Sequence, residues 1–213
     1  MKPIKLYADS PSYRELSQIV EVLRDGGVII YPTTSGYALA SDALQARAVE
    51  KICSIKKIDP KKKSLSLMFA SLSDLSEYCR LNDRAFKFVK EHAESFTFIL
   101  PAAGSLPRLY KHRKEVGARL VAHPVGRLIL EELGNPLIVS SLPLDEDDDP
   151  EYAADPELVV ERFAHQVDLI VDGGIVSSEA STIVDCTEEP FEVVRYGSGR
   201  LDADEPLLGR QTR

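Results

Sequence analysis

The chain has 213 residues, enough for one or two domains of roughly 100–200 residues each, and at that size one core buries roughly 70–75% of the unfolded surface without disulfides or a structural metal. Hydrophobic residues make up 44% and charged residues 28%, which excludes a disordered or fibrous chain. The net charge of −8 is local: the run Asp145-Glu146-Asp147-Asp148-Asp149-Pro150-Glu151 holds six acids, and with those set aside 26 basic against 28 acidic side chains leave −2.

In chain order, Met1-Lys2-Pro3-Ile4-Lys5-Leu6 has no apolar signal core, so a cytoplasmic protein is expected. A strand at Ile4–Tyr7 precedes a helix that Ser12 and Glu15 would open as a capping box. Leu16, Ile19, Val20 and Leu23 give that helix one apolar face, and Gly26-Gly27 ends it. Val28–Tyr31 is a β-branched strand that runs into the polar segment Pro32-Thr33-Thr34-Ser35-Gly36. In open α/β sheets, ligands bind past such strand ends. Next come a helix at Gln45–Ile55, a strand at Leu65–Phe69, helices at Leu72–Cys79 and Asp83–His92, and a strand at Phe96–Leu100. Val116–Val121 reads as a strand, Pro124–Leu133 as a helix stopped by Gly134, and Leu137–Val139 as a short buried strand ending at Ser140-Ser141. Asp155-Pro156 is an N-cap followed by proline at the first helical position. Leu169–Val171, Thr182–Asp185 and Glu192–Arg195 complete the strands. The mixture predicts one α/β domain over residues 1–200, with the acidic run 145–151 as a mobile surface loop and 201–213 as a loose tail. No apolar run approaches the roughly 18 residues of a membrane span.

Cys53, Cys79 and Cys186 are far apart, odd in number and outside any metal-ligand spacing, so they read as small buried apolar groups and no protein metal site is expected. His123, before Pro124, reads as a turn or cap; His92, His112 and His165 read as exposed, and none as catalytic. There is no GxxxxGK[ST] or GxGxxG motif, which leaves out P-loop and dinucleotide-binding architectures. What remains is basic and hydroxylic. Lysines cluster at 56, 57, 61, 62 and 63, and Arg108, Lys111, Arg113 and Lys114 form a second group. Hydroxyls and cations at Thr33, Ser35, Ser140, Ser141, Ser181, Thr182, Arg119 and Arg195 lie beside predicted strands, without paired carboxylates. Such groups stabilise phosphate oxygens by charge-assisted hydrogen bonds.

Six blocks in order resemble a known family. Pro32-Thr33-x-Ser35-x-Tyr37-x-Leu39-x-x-Asp42 resembles an opening Pro-Thr-acid-Thr-x-Tyr-Gly-Leu block. Ile52-x-x-Ile55-Lys56, Phe96-Thr97-Phe98-Ile99-Leu100-Pro101, Gly117-x-Arg119, Ser181-Thr182-Ile183-Val184-Asp185 and Val194-Arg195-x-Gly197 follow. The resemblance is to the YrdC-like family. Ser64-Leu65-Ser66-Leu67 followed by Leu72-Ser73-Asp74-Leu75-Ser76 is similar to its YciO branch.

The resemblance implies a single-domain twisted open mixed β-sheet flanked by helices, with a basic concave cavity. It implies threonylcarbamoyl-AMP synthesis from threonine, bicarbonate and ATP with Mg²⁺, linked to tRNA modification, and binding of double-stranded RNA or tRNA. It implies that Thr33 and Ser35 hold the threonine or carbamoyl end, and that Lys56 bridges carboxylate and phosphate. Arg119 and Arg195 would face the phosphates, and Ser141 and Ser181 the nucleotide. Lys57, Lys61, Lys62 and Lys63 would contact RNA. Synthases carry Lys-x-Arg where this chain has Lys56-Lys57-Ile58, and Ser-x-Asn where it has Ser141-Leu142-Pro143. Thr34 also replaces an acid. The expectation is therefore ATP/AMP and RNA binding with weak or altered synthesis. A full synthase, and a hydrolase removing threonylcarbamoyl from modified RNA, stand as alternatives.

Overall fold

Two helix layers of unequal extent flank one sheet, and the inequality creates the site. The structure is a computed structural model that describes residues 2–59, 65–107, 112–145 and 147–201. The strands are β1 (Ile4–Lys5), β2 (Ile29–Thr33), β3 (Gly36–Asp42), β4 (Ser66–Phe69), β5 (Phe96–Pro101), β6 (Glu115–Leu120), β7 (Leu137–Ser141), β8 (Leu169–Asp172), β9 (Thr182–Asp185) and β10 (Glu192–Arg195). The helices are α1 (Tyr13–Arg24), α2 (Ala46–Ile55), α3 (Leu72–Tyr78), α4 (Asp83–Glu91), α5 (Pro124–Leu133) and α6 (Pro156–Phe163). The strands form one ten-stranded mixed sheet in the order β1-β8-β2-β3-β7-β4-β6-β5-β9-β10. The expected twisted open α/β sheet is what the chain builds.

Alternation along each strand sorts side chains between the two faces. One face carries Leu39, Leu67, Phe98 and Val184, buried beneath α2, α3, α4 and α6 through Val49, Ile52, Leu75, Phe88, Val159 and Phe163. Phe88 has no exposed surface and meets Phe98 edge to face at 6.0 Å and Phe191 at 5.5 Å. The other face carries Ile29, Tyr31, Ala40, Met68, Leu137 and Val139 beneath α1 and α5, through Leu16, Ile19, Leu23, Ile129, Leu130 and Leu133. No residue of β5, β6, β9 or β10 joins this second cluster. Half of that face therefore has no helix over it among the described residues.

Local signals account for most boundaries. Asn82 accepts from Ala85 N at 2.8 Å, Asp155 from Glu157 N at 2.8 Å, and His123 Nδ1 from Val125 N at 3.3 Å; Gly134, at φ +75°, closes α5. Ser12, expected to cap α1, makes no side-chain cap bond. Residues 36–42, not expected as a strand, pair with both β2 and β7. Their polar Ser41 and Asp42 are buried, so the alternation that signals a strand is hidden. The acidic run does not behave as a solvated loop throughout: Asp148 meets Arg162 at 2.6 Å, and Asp149 caps a short 3-10 helix at Pro150–Ala153. Opposite charge on α6 offsets the repulsion that the sequence suggested. Glu146 lies outside the described residues. His92 is not an exposed loop residue either, because its ring packs against Phe88 at 4.4 Å and Phe96 at 5.3 Å. Leu201 packs against the core, and 202–213 lie outside the described residues.

Candidate anion-binding site

On the uncovered half-face the strand register sets polar groups side by side. Ala38 lies opposite Ser141 and Ser66 opposite Val139; Met68 pairs with Arg119, and Thr97, Ile183 and Arg195 align across β5, β9 and β10. Apart from Met68, these residues border a cavity of about 220 Å³, together with Thr33, Ser35, Tyr37, Ser140 and Ser181. Six of the seven residues expected to hold threonine, phosphate or nucleotide line it: Thr33, Ser35, Arg119, Ser141, Ser181 and Arg195. Lys56 reaches its rim from the end of α2, its Nζ donating to Ser141 O at 2.7 Å and to Ser141 Oγ at 3.2 Å.

The β2–β3 hairpin presents the first hydroxyls. Thr33, 3% exposed, donates from Oγ1 to Gly36 O at 2.6 Å and accepts from Ser35 N at 3.1 Å, which shapes the turn. Gly36 sits at φ +102°, and a Cβ there would come within 3.1 Å of Ala153 O, so glycine satisfies both backbone and packing. Tyr37 is held from the far side, donating to Gly174 O at 2.8 Å and accepting from Gly173 N at 3.2 Å.

Two guanidiniums face the cavity from different strands. Arg119 Nη2 donates to Ser35 Oγ at 2.9 Å. Burial pushes the Arg119 pKa down, Tyr31 opposes that shift, and the like charge of Arg195 adds to it. Arg195 donates from Nη2 to Ser181 O at 2.7 Å, and Ser181 Oγ shares a hydrogen bond with Thr97 Oγ1 at 2.9 Å. None of the residues lining the cavity is acidic. Like charges brought together without a counter-charge favour an anionic ligand.

Ser66 and Thr97 also line the cavity without having been read as site residues from the sequence, and Tyr37 and Ser140 line it without having been given a role there. The signal for Thr97 and Ser66 was available, since each is the polar member of an alternating strand. Lys57 is exposed just past α2, at φ +53°, away from the cavity lining. Lys61, Lys62 and Lys63 lie outside the described residues. A second hollow of about 300 Å³ sits at the other end of β4, between α3 and α5, and is lined by Asp74, Glu77 and Glu131 without a cation. Its charge suits no anion.

The fold and cavity thus define an α/β protein with a cationic, hydroxyl-rich hollow on an exposed sheet face. The family model described as "Telomere recombination" (Sua5_yciO_yrdC) matches residues 21–197, and the chain belongs to this family. It is 38% identical to the uncharacterized protein YciO of Escherichia coli K12 over 197 residues, covering 91% of this chain and 94% of that one. The crystal structure of E. coli YciO superposes with a TM-score of 0.84 at 35% identity, covering 93% of this chain and 97% of that one. The P. abyssi Sua5 complexed with L-threonine gives 0.81 at 23% identity, over 92% of this chain and 58% of that one. HypF in its phosphate- and nucleotide-bound form gives 0.72 at 18%, over 85% and 29%. The last two likenesses are of fold alone.

Proposed function

We propose that this chain binds the phosphates of ATP or AMP in the cavity, holds threonine or its carbamoyl derivative at the Thr33–Ser35 end, and docks structured RNA. The observation that carries the reading is the convergence of Arg119, Arg195 and Lys56 on one hollow lined with hydroxyls and no acid. Sua5 bound to threonine and HypF bound to phosphate and nucleotide support the ligand classes. Thr33 and Ser35 would meet the threonine end, Arg119 and Arg195 the phosphates, and Ser141 and Ser181 the nucleotide. Adenylyl transfer depends on positioning and charge stabilisation, which such groups supply. With no carboxylate at the cavity wall, Mg²⁺ would be held by the phosphate oxygens it arrives with.

Synthesis would be weak. Ile58 packs against the core where synthases place an arginine, and Pro143 cannot supply the amide donor of their asparagine. Each lost charged hydrogen bond removes roughly 1.5–3 kcal/mol, about one to two decades in rate when felt only in the transition state. Hydrolysis is less well served, because no imidazole or carboxylate lines the cavity to activate water. The deciding assay is pyrophosphate release from ATP with threonine and bicarbonate, before and after Ile58→Arg with Pro143→Asn. A slow native rate that rises in the double variant supports the reading, and fast release by the unaltered chain refutes the weak-synthase part. RNA affinity, measured on duplex and tRNA, should fall steeply with salt as phosphate contacts release counterions. A flat response, or no binding, removes the RNA part.

A further inference from the structure

Arg119 has a second, hidden edge. While Nη2 faces Ser35 and the cavity, Nε is buried and has no hydrogen-bond partner among the described residues. Behind it lies a recess of about 10 Å³, where Tyr31, Thr33, Thr34, Arg119 and His123 supply the polar side chains and Met68, Leu120, Val121 and Ala122 the rest of the wall. Tyr31 is 0% exposed, and its hydroxyl also has no partner among the described residues. Two buried polar groups left unmade at one small space are costly unless something joins them.

The size and the donors say what that is. A recess of about 10 Å³ has room for about one water, which needs at least two polar partners. Arg119 Nε–H can only donate. Burial holds the Tyr31 phenol far above its ordinary pKa, so it stays protonated and can both donate and accept. Burial lowers the His123 pKa, and its Nδ1 accepts from Val125 N. A water molecule can accept from Nε–H and exchange a hydrogen bond with a phenol in such a space.

We propose that Tyr31 is a positioning residue for Arg119, acting through one water held in this recess between the Tyr31 hydroxyl and Arg119 Nε. The guanidinium is thereby fixed on two edges, by Ser35 in front and the water behind, against repulsion from Arg195. Its consequence for ligands rests on the anion-binding reading above; the water bridge itself does not.

The test is Tyr31→Phe, which removes only the hydroxyl. In the ligand-free native protein, nitrogen-resolved NMR should show an Arg119 Nε–H that exchanges slowly with solvent, and a high-resolution crystal structure should show a water within hydrogen-bond distance of both groups. In Tyr31→Phe the Nε–H signal should shift and exchange faster, and the affinity for inorganic pyrophosphate, by calorimetry, should fall about 3- to 10-fold while the fold persists. A purely structural tyrosine predicts the reverse: an unchanged Nε–H, unchanged pyrophosphate affinity and a Tm that holds or rises once the unpaired hydroxyl is gone. That result overturns the proposal. If the variant does not fold, the native protein decides alone: a dry recess, or an Nε–H exchanging at the solvent rate, overturns it as well. If neither protein binds pyrophosphate, the anion reading fails while the Nε–H signal still decides the water bridge.

Discussion

Replacing Arg119 by methionine should raise stability and remove anion binding together. The side chain is a charge taken largely out of water whose hydrogen bonds among the described residues amount to one, to the neutral Ser35 Oγ at 2.9 Å, with Nε unpartnered there and Arg195 repelling it. Buried charges with so little compensation are commonly less stable than well-packed apolar groups of similar volume, by about 1–4 kcal/mol. Because the cavity admits some solvent, the lower part of that range, about 1–2 kcal/mol, applies. For a chain of this length that is a Tm rise of roughly 2–8 °C. Pyrophosphate, by contrast, loses a charged hydrogen bond worth about 1.5–3 kcal/mol, a roughly 10- to 150-fold weakening. Scanning calorimetry of the ligand-free variant and titration with pyrophosphate measure the two effects separately. A variant that is less stable yet binds as well as the native chain would refute the reasoning at both steps. The outcome expected is a binding site that carries a cost in stability.

Gly197→Ala should destabilise by about 3 kcal/mol or more, at the upper end of ordinary substitutions, because its Cβ would lie 2.0 Å from Ala180 O and 2.7 Å from the Ser181 carbonyl carbon. Urea unfolding reads this, and a loss under about 1 kcal/mol would contradict it. Burial lowers the His123 pKa below its unfolded value of about 6.5, so the unfolded chain takes the proton first. Its contribution is complete above about pH 6.5 and is lost as pH falls below that, with a slope of at most about 1.4 kcal/mol per unit. His123→Asn, which keeps a cap acceptor for Val125 N, should flatten the pH 5–7 stability difference relative to the native chain; an unchanged difference counts against it. Burial pushes the Cys79 and Cys186 thiols up to about 12 and raises Cys53 as well. A disulfide reagent at neutral pH should therefore label all three only on unfolding, and rapid labelling of the native chain would overturn this.

The elements that were legible in the sequence share a physical cause. Asp155-Pro156 and the Gly134 stop are chemical signals of helix ends, and α6 and α5 begin and end there. Thr182–Asp185 and Glu192–Arg195, rich in β-branched residues, are strands as read. The segment 36–42 escaped because both of its faces are buried, which erases alternation, and because Ser41 and Asp42 are polar groups hydrogen-bonded or enclosed inside. Convergence of Thr33, Arg119, Ser181 and Arg195 was legible only through the order of the six blocks, since no periodicity reports which strands become neighbours. Thr97 and Ser66 could have been found by asking which strand residues would point to the uncovered side. That side becomes known only once the helices are counted onto their faces.

The arginines of the cavity stand on strands of different standing. Arg119 belongs to β6 in the middle of the sheet, whereas Arg195 belongs to β10 at its margin, attached through β9 alone. An anion gripped by both is a tie across three strand boundaries. Occupancy would therefore stiffen the outer hairpin more than the centre, and slowed amide exchange should spread from β10 inward as ligand is added.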